Sequence, residues 1–128
     1  DTILAKKIDK KPHTPYEKLL EGNIDEAIEI YKGTHKIDPL NLALTEDRIN
    51  VIGYELLYKE IYSAAIAIFK LNKEFYPESY NTFDSLAEAY MKAGKKELAI
   101  SNYEISLNLN PENENAKKML VELKLQIN

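Results

Sequence analysis

The chain has no cysteine, so it has no disulfide framework and no thiolate metal site. That leaves the redox compartment open, because a cysteine-free chain suits cytosol and periplasm alike. There are only two histidines, His13 and His35, and neither has an Asp or Glu at metal-ligand spacing. No serine sits in a nucleophile elbow, and no glycine-rich loop could cradle a phosphate. No run approaches the roughly 18 apolar residues of a membrane span. There is no signal peptide and no initiator Met, and a start at Asp1 predicts an excised domain or a processed product. Five Pro and four Gly in 128 residues are too few for a disordered or linker-rich chain. Nothing here supports an enzyme active site, a cofactor or a metal centre in this segment.

What is present reads as one soluble, helical domain with a core: 45% hydrophobic and 30% charged residues. The net charge of −4 argues against nucleic acid as a partner, since phosphate binding needs a basic surface. Lys6, Lys7, Lys10 and Lys11, with Asp9 among them, read as a solvated helix face or linker.

The strongest positive signal is a set of columns. Ala27, Ala65 and Ala99 are each followed by Ile, and four positions after each Ala stand Tyr31, Phe69 and Tyr103. Pro39, Pro77 and Pro111 close the units, 38 and then 34 residues apart. A period of this size marks units that bury their apolar faces only by stacking on one another. Residues 46–79 and 80–113 align without a gap. In the second, Phe83, Leu86, Ala87 and Tyr90 share one face of a first helix (helix A). Gly94 marks the turn, and Ala99, Tyr103, Ser106 and Leu107 mark a second helix (helix B). In 46–79 the first-helix positions are Ile49, Ile52, Gly53 and Leu56, and Glu60 takes the turn position of Gly94. A left-handed turn there costs Glu60 some stability.

These residues resemble the tetratricopeptide repeat, whose small residues (here Gly53, Ala65, Ala87 and Ala99) let paired helices approach closely. The expected fold is an all-α, helix-turn-helix solenoid. Its parts are a linker or short helix over 1–14, a truncated unit over 15–41, full repeats over 46–79 and 80–113, and a capping helix over 114–127. Pro12 and Pro15 shorten the first helix of the truncated unit, with Pro15 at its first position. Leu40, Leu42 and Leu44 lie in the four-residue insertion and are expected to tuck against the core, with Thr45 capping the next helix. On the capping helix Met119, Leu120, Leu123 and Ile127 can face inward, leaving Val121 and Leu125 for a neighbour or a homodimer.

Function is expected in the concave groove that such a fold lines with its first helices. Tyr31, Tyr62, Tyr90 and Tyr103 read as packing residues. Tyr16, Tyr54 and Tyr58 fall on the opposite face, with Asn50, Asn81, Asp84, Glu88, Lys92, Lys118 and Glu122. Tyrosines among polar groups are a usual binding composition. The resemblance implies a protein or peptide partner, with no catalysis. Chaperone-tail-binding members of the family use a cationic clamp, whereas the corresponding positions here carry Asn50, Tyr54, Ser85 and Glu88. A basic ligand fits better.

The runs RINVIGYELL at 48–57, FKLN at 69–72, YPES at 76–79 and DSLAEAY at 84–90 are also similar to the C-terminal repeat region of certain bacterial serine hydrolases of β-lactamase-like or α/β-hydrolase type. That resemblance implies an accessory domain of an exported enzyme, extracytoplasmic, with its catalytic serine outside this chain. Without it, a cytoplasmic adaptor is the expectation.

Overall fold

The computed structural model describes residues 14–127, with side chains through Gln126. The expected segment before Thr14, with its lysine cluster, Pro12 and His13, lies outside the described residues, as does the expected inward role of Ile127. Among the described residues are seven α-helices and no strand. They are α1 Pro15–Leu20, α2 Ile24–Ile37, α3 Glu46–Tyr58, α4 Tyr62–Phe75, α5 Tyr80–Lys92, α6 Lys96–Leu109 and α7 Glu114–Ile127, with a 3-10 turn at Leu42–Leu44.

Local chemistry sets the helix starts. Thr14 and Glu17 form a reciprocal capping box, and Pro15 takes the first helical position, where its missing N–H costs nothing. The Thr45 hydroxyl accepts from the Arg48 N–H at 3.3 Å, with Glu46 and Asp47 against the positive end of α3. Asn113 caps α7 by accepting from the Ala116 N–H at 3.1 Å.

All three helix pairs turn in the same way. Gly22, Glu60 and Gly94 have φ of +88°, +61° and +80°. Their N–H groups return to Leu19, Leu57 and Met91, and the next residues' N–H groups reach Lys18, Leu56 and Tyr90. This double tie satisfies carbonyls that the helix end leaves open. Glu60 is the one non-glycine at positive φ among the described residues, so the expected departure is real.

Packing follows the small-residue columns. Ala27, Ala65, Ala87 and Ala99 are fully buried. A Cβ on Gly53 would lie 2.3 Å from Phe69 Cε1, so α3 and α4 approach as closely as they do only because that atom is missing. Two polar ties repeat with the period. The Asn72 amide donates to the Glu46 carbonyl at 3.0 Å, and the Ser106 hydroxyl donates to the Tyr80 carbonyl at 2.8 Å.

The first pair joins the second differently. α4 packs on α5 and α6 on α7, but α2 meets α4, and the 3-10 turn packs on α3. His35 of α2 stacks on Phe75 of α4, with ring centroids 3.8 Å apart, and Lys32 pairs with Glu74 at 3.5 Å. An open cleft of about 370 Å³ remains between α2 and α4, floored by Ile24, Ile28, Ala67 and Leu71.

One expectation needs correction here. Leu44 is buried, but Leu40 and Leu42 are 87% and 81% exposed. The Tyr76 hydroxyl donates to the Leu44 carbonyl at 2.7 Å, and Asn41 caps the short turn, so the insertion is fixed at its end and presents one leucine inward. Ile37, at the end of α2, is 88% exposed. On α7, Leu120 and Leu123 are buried and Met119 packs on the core, while Val121 and Leu125 face outward as expected.

Candidate functional site

The first helices of successive pairs lie side by side, so columns one repeat apart become neighbours. Tyr54 of α3 and Glu88 of α5 are 34 positions apart in the chain, and the Tyr54 hydroxyl reaches the Glu88 carboxylate at 3.5 Å. The same hydroxyl lies 3.3 Å from Ser85 Oγ, and Ser85 donates to Asn50 Oδ1 at 2.8 Å. Asn50, Tyr54, Ser85 and Glu88 thus form one hydrogen-bonded set across two helices.

Asp84 joins from the next turn. Its Oδ2 accepts from the Asn113 amide at 2.9 Å, and its Oδ1 accepts from the Asn115 amide at 3.1 Å. Asn113 also donates to Ser106 at 2.9 Å, linking the face to the inner tie of the third pair. Asn113 and Asn115 escaped the sequence reading. The spacing after Pro111 signals a cap at Asn113, but only the return of α7 beside α5 puts Asp84 within reach.

Burial sets the electrostatics. It pushes the Tyr54 phenol up to about 12, with the Ser85 hydrogen bond pulling the other way and Glu88, Asp84 and Tyr58 adding to the rise. Tyr103, buried on α6, is raised further by burial and then by Asp84, Glu88 and Tyr54. Both phenols therefore stay protonated near neutral pH. Burial also raises the Glu88 carboxyl. Lys92 and the Tyr54 hydrogen bond oppose the rise, and Asp84 adds to it. No lysine or arginine among the described residues comes within ion-pair distance of Glu88.

The remaining expected residues spread outward. Tyr58 is 76% exposed, its ring 5.9 Å from that of Tyr54. Tyr16 is half-buried, and its phenol is raised by burial and then by the charge of Glu55. Lys92 is exposed near Glu88. Asn81, Lys118 and Glu122 are exposed and hydrogen-bond to no other side chain among the described residues. One placement differs from expectation. Tyr54 is not confined to the face turned away from helix B, since its ring packs edge-on against Phe69 of α4 at 5.2 Å. It is at once packed on the core and part of the polar set with Ser85 and Glu88, which a face-by-face reading of one helix cannot express. Among the described residues no group of three His, Cys, Asp or Glu could hold a metal ion.

No family model matches the chain. No curated protein matches it either. Solved structures do. A mutant of MamA matches with a TM-score of 0.70 at 19% identity, over 88% of this chain and 80% of that one. The first TPR of Spaghetti (RPAP3), bound to an HSP90 peptide, matches with a TM-score of 0.62 at 20% identity, over 88% of this chain and 86% of that one. At these identities the likeness establishes the fold, an all-α solenoid of tetratricopeptide type.

Proposed function

We propose that the chain is a non-catalytic protein-interaction module that holds a peptide or partner segment along its concave helix-A face, and that the ligand is basic. The observation that carries this is the Asn50–Ser85–Tyr54–Glu88 set, which spans two repeats beside the exposed Tyr58. Such a set gives fixed donors and acceptors with rigid aromatic area, so little side-chain entropy is lost on binding. Tyr16, Asn81, Asp84, Lys92, Lys118 and Glu122 extend the surface.

The RPAP3 repeat is bound to the peptide SRMEEVD, in which three acidic residues outnumber one arginine. Asp84 and Glu88 would meet such a segment with like charge, which disfavours it. A positively charged segment gains from the same pair.

The test is capture of degenerate ten-residue peptides on the immobilised protein. The double variant Tyr54→Ala with Glu88→Ala should lose capture while keeping its helical circular dichroism and cooperative melt. Equal capture by a folded double variant would refute the groove.

A second reading, favoured by the runs at 48–57, 69–72, 76–79 and 84–90, is an accessory domain of a serine hydrolase, docked within the same parent chain. Blotting source cells with an antibody to this segment separates the two. A band much heavier than this chain supports an appendage, and a band at the chain's own mass counts against it. Val121 and Leu125 offer a small outward face on α7 for a homodimer, which light scattering at high concentration would detect.

A further inference from the structure

We infer that the groove's ligand is anchored by an arginine, with its guanidinium plane against the Tyr58 ring and its N–H fork turned to Glu88. The inference rests on the groove reading above and adds the identity of the anchoring side chain.

Glu88 is the half-buried carboxylate of this face that its own chain leaves short of partners, whereas Glu122 is exposed to water. Asp84 has an asparagine amide on each oxygen. Glu88 has a single hydrogen bond, from the Tyr54 hydroxyl at the long distance of 3.5 Å. It is half-buried, so it bears a desolvation cost that no ion pair among the described residues offsets. A cation brought by a ligand would offset that cost. Lys92, one turn along α5, is close enough to be felt electrostatically but stops short of an ion pair. It acts as a resident competitor rather than a partner.

Tyr58 decides between the two basic side chains. Its ring is open to solvent and stands beside Tyr54 at 5.9 Å, tilted by 36°. A guanidinium stacks on such a ring and still offers a fork to a carboxylate, and it sheds water more readily than an ammonium. Lysine offers a point charge to one of the two groups at a time.

The probes are four pools of degenerate ten-residue peptides, each with a fixed central residue: arginine, citrulline, lysine or glutamate. Citrulline keeps the plane and removes the charge. Retention on the immobilised protein should favour arginine about fivefold over both citrulline and lysine. Glutamate should be retained least. Glu88→Gln should erase the preference for arginine over citrulline. Tyr58→Ala should erase the preference for arginine over lysine, and Lys92→Gln should strengthen retention of the arginine pool. Equal retention of arginine and lysine, or an arginine preference that survives both Glu88→Gln and Tyr58→Ala, would overturn the inference and leave the groove reading intact. If no pool is retained, or all are retained equally by the folded Tyr54→Ala/Glu88→Ala protein, the groove reading falls as well.

Discussion

The second and third helix pairs share one architecture and solve it with different residues. They align at 34 positions without a gap, so each column is an internal experiment. Where α3 crosses α4, Gly53 leaves no room for a methyl beneath Phe69. Where α5 crosses α6, the same columns hold Ala87 and Tyr103, both buried. At the turn, Glu60 takes a conformation that Gly94 adopts freely. At the inner tie, Asn72 donates to the Glu46 carbonyl but leaves its own carbonyl oxygen unpartnered and buried. Ser106 makes the equivalent bond and is completed by Asn113. The second pair therefore carries the local compromises, and it is also the pair that supplies Tyr54 and Tyr58.

The largest expected difference lies at the crossing. Gly53→Ala should destabilise by about 1–3 kcal/mol in denaturant titration, because the buried Phe69 ring must move. The helix propensity of Ala offsets about 1 kcal/mol of that strain. The reverse change in the other pair, Ala87→Gly, should cost about 1–2 kcal/mol, from propensity and from the lost buried methyl. If Gly53→Ala instead stabilises by about as much as Ala87→Gly costs, the two crossings are not packed differently.

The next effect is at the start of α7. Asn113→Ala removes a helix cap and the bonds to Asp84 and Ser106, and should cost about 1–2 kcal/mol. Ser79 stands in the same column but caps nothing, and its hydroxyl meets the Glu46 carboxylate instead. Ser79→Ala should cost less than Asn113→Ala, and thermal melts of the two variants check the order.

The turn gives a gain. Glu60→Gly should stabilise by about 1 kcal/mol by removing left-handed strain. Gly94→Ala should lose about as much, and since a Cβ there would meet nothing within 4 Å, the loss is conformational. A neutral Glu60→Gly would mean that the Glu60 side chain compensates for its backbone.

The smallest effect is at Glu88, and its sign is set by pH. Its carboxyl is raised in the folded state, so the native protein holds that proton longer than the unfolded chain does. Stability then falls as pH rises from the ordinary value of 4.5 through the raised one. Glu88→Gln should therefore gain a little at neutral pH, under about 1 kcal/mol given the solvent screening at this half-exposed site. The gain should vanish below about pH 4. A loss at neutral pH would mean that ionised Glu88 supports the fold and is no vacant acceptor.

The spacing of Ala65, Phe69, Ala99, Tyr103 and the prolines was enough to read the helix pairs, because a 34-residue period imprints itself on every buried column. Thr45 as a cap, Pro15 at a helix start and Glu60 in a left-handed turn were legible for a similar reason: each depends on a few neighbouring residues. The loop leucines were not. Whether Leu40, Leu42 or Leu44 turns inward depends on where Tyr76, 32 residues beyond Leu44, places its hydroxyl. Among the candidate groove residues, column logic brought Tyr54 and Glu88 to one face. It could not show that Asp84 is held by Asn113 and Asn115 while Glu88 is left half-buried with one long bond.

The sequence by itself determined the helices, their turns and the order in which they stack, because those follow from local geometry and from which residues avoid water. Only the tertiary structure decided which polar groups satisfy one another across neighbouring helices, how the first pair sits on the second, and which half-buried carboxylate is left with one long hydrogen bond. Those outcomes hang on distances of a few tenths of an ångström between residues some 30 positions apart, and no spacing rule carries that precision.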